Sequence, residues 1–203
     1  FSEAVTQFNS DDDITAQNGS LSTMTSSDNI TWTGTFTPTD NIRDTTNILT
    51  LANTWRDASG NAGVSSTTAN YGLDTQTPSV SSFTLADTDL SKNQTTTVTL
   101  VFSEAVTQFS SDDDITAENG TLSTMTSSDN ITWTGTFTPS NNIRDTTNVL
   151  TLANTWRDAS GNAGVSSTTA NYGVDTQAPS VTITSSNVNS GGRFNGNVAV
   201  TFT

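Results

Sequence analysis

The chain has 203 residues, no cysteine and no histidine, and its 20 acidic and 6 basic side chains give a net charge of −14. This composition excludes thiolate and imidazole catalysis and the ordinary zinc, haem and iron–sulfur sites. The charge argues against nucleic acid as a partner. Because no apolar run approaches the roughly 20 residues of a membrane span, we expect no membrane insertion. The Thr, Ser, Asn and Gly content is typical of short strands and tight turns.

The first observation along the chain is a tandem repeat. Residues 1–79 recur as residues 102–180, with only eight mild substitutions. Cuts in the two Asp-Thr-Gln-x-Pro segments, at 74–78 and 175–179, give residues 1–75 (repeat 1), residues 76–176 (repeat 2) and residues 177–203 (the C-terminal segment). An offset of 101 residues has the size of a domain rather than of a solenoid unit. We predict that repeat 2 is complete, that repeat 1 lacks its first two strands, and that the C-terminal segment carries the first two strands of the next repeat.

The strands of repeat 2 are predicted from alternating runs bounded by turn residues. In chain order they lie near 80–86, 95–103, 114–118, 121–127, 130–138, 148–156 and 164–173. Asn119-Gly120 and residues 128–130 are predicted hairpin turns, and no segment has helical periodicity. Seven antiparallel strands in about a hundred residues predict an all-β fold of tandem immunoglobulin-like sandwiches.

Acidic residues are predicted to meet where one repeat joins the next. If successive strands run in opposite directions, several carboxylates of repeat 2 lie at the end of the sandwich where the linker enters. Carboxylates this close repel unless a cation lies among them, and Ca²⁺ prefers six to eight oxygen ligands. We therefore expect a calcium site at the joint, with these candidate ligands: Asp74, Glu104 and Asp158, with Gln76, Asp112 or Asn162 in addition, and Asp175 at the corresponding position of the next joint. The alternative is that these are solvated turn residues.

Four motifs together resemble the bacterial Ig-like repeats of giant surface adhesins of the RTX and biofilm-associated types. They are F-S-E-A-V at 102–106, E-N-G-T-L at 118–122, D-A-S-G-N-A-G at 158–164 and D-T-Q-A-P at 175–179. The resemblance implies an extracellular location on a bacterial surface and a structural role as an extender or fibre. Its partners would be neighbouring repeats and, through regions outside this chain, a glycan or surface ligand. In that family Ca²⁺ often stiffens the joints.

Two other functions compete with the structural one. Trp133 and Trp156 are candidates for the sugar-stacking surface of a carbohydrate-binding module, but their alternation with other apolar residues favours core packing. The carboxylates at 112–114 lie in a repeated polar loop without a predicted pocket, so we expect no enzyme.

The incomplete repeats at the two ends of the sequence also predict an assembly. Residues 181–183 and 198–202 are expected to lie against residues 1–75 of the next copy. A continuous polymer is favoured as the cause, and strand donation between separate chains is the alternative.

Overall fold

The computed structural model describes residues 1–185 and 200–202. Repeat 1 contains, in chain order, β1 (Val5–Thr6), α1 (Ser10–Asp13), β2 (Ile14–Ala16), β3 (Gly19–Leu21), β4 (Phe36–Pro38), β5 (Arg43–Asn47), β6 (Leu49–Leu51), β7 (Arg56–Asp57), β8 (Ser66–Thr67) and β9 (Tyr71–Asp74). Repeat 2 contains β10 (Val80–Leu85), β11 (Asp89–Ser91), β12 (Thr96–Phe102), β13 (Val106–Thr107), α2 (Ser111–Asp114), β14 (Ile115–Ala117), β15 (Gly120–Leu122), β16 (Thr132–Pro139), β17 (Arg144–Asn148), β18 (Leu150–Leu152), β19 (Arg157–Asp158), β20 (Ser167–Thr168) and β21 (Tyr172–Asp175). The C-terminal segment adds β22 (Ile183–Ser185) and β23 (Val200–Phe202).

Repeat 2 is a two-layer β-sandwich. The antiparallel sheet β10–β12–β16–β15 forms one layer, and the sheets β14–β18–β20 and β11–β21–β17 form the other. Alternate residues of β12 and β16 point inward, so side chains of both layers meet in one core. Its fully buried members include Val98, Leu100, Phe137, Leu150 and Leu152. The structure confirms the predicted all-β class and the tandem immunoglobulin-like sandwich.

Several predicted strands are divided because the chain changes sheets. The predicted strand near 148–156 is replaced by the last residue of β17 and by β18, which belong to different sheets. The fully buried Asn148 stabilises the crossing between them. Its Nδ2 donates to the carbonyl oxygens of Asp145 (3.1 Å) and Tyr172 (3.0 Å). These bonds satisfy backbone groups that a continuous ladder would otherwise pair.

One local prediction is wrong, and one short element was not predicted. The turn at Asn119-Gly120 is present, with Asn119 at φ 51°, but it does not close a hairpin, because β14 pairs with β18 and β15 pairs with β16. It is a corner between the two layers. The single helical turn α2 was not expected, since four residues carry no detectable period. It is stabilised by the buried Asp114 carboxylate, which accepts from the backbone N–H of Ser110 at 2.8 Å.

Repeat 1 has the same local elements with a more open core. The strand β4 spans three residues where its counterpart β16 spans eight, because the strand that pairs with β16 along most of its length, β12, has no counterpart among residues 1–75. Phe36, Leu49 and Leu51 are consequently half-buried, whereas their counterparts in repeat 2 are 0% exposed.

The C-terminal segment contributes one antiparallel strand pair, in which Ile183 lies opposite Phe202 and Ser185 lies opposite Val200. Of the terminal residues predicted to contact another copy, 198 and 199 lie outside the described residues. Among the described residues, no helix is long and apolar enough to cross a membrane.

Candidate functional site

The side of the joint that belongs to repeat 1 is built by two paired strands. Arg43 begins β5 and Asp74 ends β9, and the two residues are directly opposite in the ladder. The Nε of Arg43 lies 3.8 Å from Oδ2 of Asp74. The next residues stay tied to this end, since the N–H of Thr75 donates to the carbonyl of Ile42 at 2.8 Å and the N–H of Gln76 donates to Oδ1 of Asp74 at 3.2 Å. The end of β9 therefore positions the Asp74 carboxylate at the start of the linker.

The side that belongs to repeat 2 consists of Glu104, shortly after β12, and the turn 158–162. In this turn Oδ1 of Asp158 accepts from the backbone N–H groups of Ser160 (2.9 Å) and Asn162 (2.8 Å). Its Oδ2 accepts from Nδ2 of Asn162 at 2.7 Å. Gly161 adopts a φ of 92°, which the tight turn requires and which residues other than glycine rarely adopt. The turn is thus the Asx-type turn that its sequence predicts, and it also faces the joint.

Several hydrogen bonds cross from one repeat to the other. Nη1 of Arg43 donates to Oε2 of Glu104 at 2.9 Å. Oγ of Ser160 donates to Oδ2 of Asp74 at 3.1 Å, and Nδ2 of Asn162 donates to the carbonyl of Asp74 at 3.1 Å. Asp74, Glu104 and Asp158 each place a carboxylate oxygen within 4.8 Å of the others. We call this group the joint cluster.

The joint cluster is sheltered from water. Glu104 is 9% exposed and Asp158 is 2% exposed. Of their counterparts in repeat 1, Glu3 is exposed and Asp57 is half-buried. Burial raises the pKa of Glu104; the Arg43 guanidinium opposes this shift, and the Asp74 and Asp158 carboxylates add to it. Three carboxylates and one guanidinium leave negative charge at the contact when all are ionised.

The donor chemistry of the joint cluster fits a hard divalent cation. Two oxygens that bind one Ca²⁺ at about 2.3–2.6 Å cannot be more than about 5 Å apart, and the three carboxylates satisfy this limit. The Ser160 hydroxyl and the Asp74 carbonyl are further oxygen atoms beside these carboxylates. Arg43 already compensates part of the charge, so a bound cation would share or replace its contact with Glu104.

The side chains of the remaining predicted ligands Asp112, Gln76 and Asp175 are not members of the joint cluster. Asp112 lies in α2, where both of its carboxylate oxygens accept from Oγ1 of Thr124 (3.1 and 2.9 Å); it is not in the joint cluster. Gln76 adjoins the cluster through its backbone. Asp175 occupies the position of Asp74 at the far end of repeat 2, where it pairs with Arg144 at 3.7 Å.

Arg43 was missed by the sequence-based reasoning. Its proximity to Asp74 depends on the β5–β9 register, and β5 was not among the predicted strands. The available signal was the Arg-Asp dipeptide at 43–44 and again at 144–145. Adjacent opposite charges indicate only a local ion pair, so this dipeptide did not indicate a contact across the joint.

The tryptophans do not form a binding surface. Trp156 is 0% exposed and its ring lies 4.5 Å from that of Phe102. Trp133 is half-buried against the ring of Phe109 at 4.9 Å. In both, Nε1 is buried and has no hydrogen-bond partner among the described residues. The indoles therefore belong to the core, as their spacing predicted.

Comparison with known proteins gives one family match. The model of the bacterial Ig-like domain matches residues 1–73 and again residues 74–174. Among solved structures, the adhesin FdeC of Escherichia coli matches with 15% sequence identity and a TM-score of 0.38. The match covers 92% of this chain and 59% of that structure. No match was found among curated proteins.

Proposed function

Because the chain belongs to the bacterial Ig-like domain family, we propose that its repeats are structural spacers in the stalk of a bacterial surface adhesin or an extracellular fibre. The role is non-enzymatic, and the location is outside the cell. The observation that carries this proposal is the joint cluster, which links two nearly identical domains end to end. Since the sequence at both ends of the repeat recurs, the same joint can recur, as a stalk of uniform stiffness requires.

The joint resists bending because it contacts repeat 2 at two places beside the linker. One contact is the ion pair of Arg43 with Glu104, and the other runs from Asp74 to Ser160 and Asn162. The far end of the linker is fixed as well, since Ser79 and Ser103 exchange hydrogen bonds of 2.8 and 2.9 Å. Any hinge motion must break at least one of these contacts.

Calcium is proposed to stiffen the joint further. Ca²⁺ would neutralise the residual negative charge of Asp74, Glu104 and Asp158, and it would bind residues of both repeats simultaneously. A ligand that binds the assembled joint stabilises that arrangement by mass action. The carbohydrate-binding alternative has no comparable support, because all four tryptophans are buried or half-buried.

The test compares the full chain in Ca²⁺ and in EGTA by small-angle scattering and thermal melting. We expect Ca²⁺ to lengthen the particle and to raise the melting temperature. Asp74→Asn should abolish both effects. Asp175→Asn is the matched control, since it removes the same carboxylate in the same sequence context at the far end of repeat 2, and it should retain both. Unchanged dimensions and melting in Ca²⁺ would contradict the calcium part of the proposal.

A further inference from the structure

Each repeat has an Asn-Gly dipeptide, at 18–19 and at 119–120, where the chain passes between strands of two different sheets. In such a dipeptide the backbone nitrogen of the glycine can attack the side-chain amide carbon of the asparagine, because the glycine has no side chain to hinder the approach. The attack expels ammonia and converts the asparagine into an acidic residue. The dipeptide is therefore a candidate modification site in both repeats.

The fold requires both residues of this dipeptide. Asn119 has a φ of 51°, in the left-handed region that asparagine adopts more readily than most residues with a side chain. A Cβ on Gly120 would lie 2.1 Å from the ring of Phe137 and 2.7 Å from the carbonyl oxygen of Thr138, so only glycine fits. The reactive pair cannot be replaced without moving the corner.

The side-chain amide of Asn119 is bound to residues of β17. Its Nδ2 donates to Oδ1 of Asn148 at 2.6 Å and to Oδ2 of Asp145 at 3.1 Å. Asn148 is 0% exposed, so the bond from Asn119 satisfies an acceptor that water does not reach. The backbone is held as well, since the carbonyl of Asn119 accepts from the N–H of Ser140 at 2.8 Å.

The same network recurs in repeat 1. Nδ2 of Asn18 donates to Oδ1 of Asn47 at 2.7 Å and to Oδ2 of Asp44 at 2.9 Å. The carbonyl of Asn18 accepts from the N–H of Thr39 at 2.9 Å, and Asn47 is 0% exposed, like Asn148. The network is therefore a property of each repeat and is the same in the closed and in the more open core.

These bonds protect the amide while the repeat is folded. For the reaction, the nitrogen of Gly120 must reach Cγ of Asn119, and the Nδ2 group must take up a proton and leave as ammonia. Nδ2 cannot leave while it donates to Asp145 and Asn148. The peptide between the two reacting residues cannot rotate freely while Ser140 holds its carbonyl. Both restraints are lost when the corner opens, so we expect the reaction from the open chain.

The product does not fit the network. Aspartate at this position has no N–H group to donate, so the buried Oδ1 of Asn148 loses its partner. The new carboxylate would face that of Asp145, whose pKa is held below its usual range by the backbone N–H and hydroxyl of Thr147 and by the amide of Asn119. Two carboxylates in such close contact repel. Isoaspartate, the second product, adds a carbon to the backbone at a corner that has no room for a Cβ.

We propose that Asn18 and Asn119 are deamidation sites that are protected in the folded repeat and react when the repeat opens. The glycine nitrogen forms a bond to Cγ of the asparagine and loses its proton, the bond from Cγ to Nδ2 breaks, and ammonia leaves. Water then opens the cyclic imide at either carbonyl, which yields aspartate or isoaspartate. Because neither product rebuilds the network, a repeat that has opened is altered irreversibly. The inference concerns each repeat by itself and does not rest on the proposed function.

Peptide mapping by mass spectrometry tests it by measuring the conversion of each asparagine in the full chain at mildly alkaline pH, folded and unfolded in urea. In urea we expect Asn18 and Asn119 to convert faster than Asn41 and Asn142, which precede isoleucine. In the folded chain the conversion of Asn18 and Asn119 should be slower than in urea by about tenfold or more. Equal rates in the folded and unfolded chain would overturn the proposal.

Asp145→Ala tests whether the side-chain bonds provide the protection. It removes one acceptor from Asn119 and leaves the network of Asn18 in the same chain unchanged. Well below the melting temperature, we expect conversion at Asn119 to rise several-fold and conversion at Asn18 to stay constant, which makes repeat 1 the internal control. An unchanged rate at Asn119 would show that these bonds do not protect it and would overturn the assignment.

Asn119→Asp reproduces one product directly. It should lower the melting temperature of repeat 2 by roughly 4–8 °C or more. Asn142→Asp is the matched control, since it makes the same charge change at an exposed asparagine with a φ of 60°, and it should leave the melting temperature unchanged. Equal melting of the two variants would contradict the conclusion that the product disrupts the network. If Asn119→Asp does not fold, the conversion rates of the unmodified chain still decide the proposal.

Discussion

The duplicated sequence offers a matched pair of core mutations, Leu150→Ala and Leu49→Ala. Both remove the same side chain from the same local sequence, Asn-x-Leu-Thr-Leu. Leu150 is 0% exposed in the core that includes β10 and β12, whereas Leu49 is half-buried in the more open core of repeat 1. The difference between the two effects therefore measures how much the covering strands contribute.

The burial of each leucine determines how much free energy of unfolding its substitution removes. A fully buried Leu loses its transfer free energy and leaves a cavity, so Leu150→Ala should lower the free energy of unfolding of repeat 2 by about 3 kcal/mol. For a domain of this size that corresponds to a fall in melting temperature of roughly 12–24 °C. At Leu49 part of the surface is already in water and no closed cavity forms, so a loss of about 1 kcal/mol is expected.

Differential scanning calorimetry of the dilute chain in EGTA measures both variants. Leu150→Ala should shift the transition of repeat 2 strongly, and Leu49→Ala should shift that of repeat 1 weakly. Equal shifts in the dilute chain would refute the conclusion that the two cores differ in closure.

Three further predictions concern single residues. Burial raises the pKa of Glu104, so its contribution to stability is fully present below the unfolded carboxyl pKa and is lost as pH rises through its folded pKa. In EGTA, Glu104→Gln should therefore stabilise the chain relative to wild type by an amount that grows over this pH interval and is constant above it, as measured by pH-dependent melting. Trp133→Ala should cost about 3–5 kcal/mol in denaturant unfolding, and a near-neutral effect accompanied by loss of glycan binding would favour a lectin. Asn148→Ala leaves the carbonyls of Asp145 and Tyr172 without their donor and should cost about 1–3 kcal/mol, measured in the same way.

Much of the fold could be predicted because alternation is a local signal. The inward face of β12 follows directly from Val98, Leu100 and Phe102, and that of β16 from Trp133, Gly135 and Phe137, because each set occupies every second position of its strand. The crossings between sheets could not be predicted in this way. They depend on buried side chains such as Asn148, whose hydrogen bonds with Asn119 and Tyr172 join residues far apart in sequence.

The joint cluster was predictable in part for the same reason. Asp74, Glu104 and Asp158 follow strand ends, and strand order alone brings strand ends together at one pole. Arg43 required the register of a strand pair that the pattern did not reveal. Asp112 has the same residue type as the cluster members, but the turn α2 directs it to Thr124 of its own repeat.

The central claim, that the joint cluster holds two repeats in one orientation and that calcium tightens it, can be tested by a distance measurement. The chain has no cysteine, so Ser20→Cys and Thr121→Cys, which are exposed counterparts in the two repeats, would accept one spin label each. Pulsed electron paramagnetic resonance of the dilute, doubly labelled chain then reports the distribution of distances across the joint. The account predicts a single distribution that is narrow in Ca²⁺ and wider in EGTA, and wide in both after Asp74→Asn. A broad distribution that is the same in Ca²⁺, in EGTA and after Asp74→Asn would contradict it.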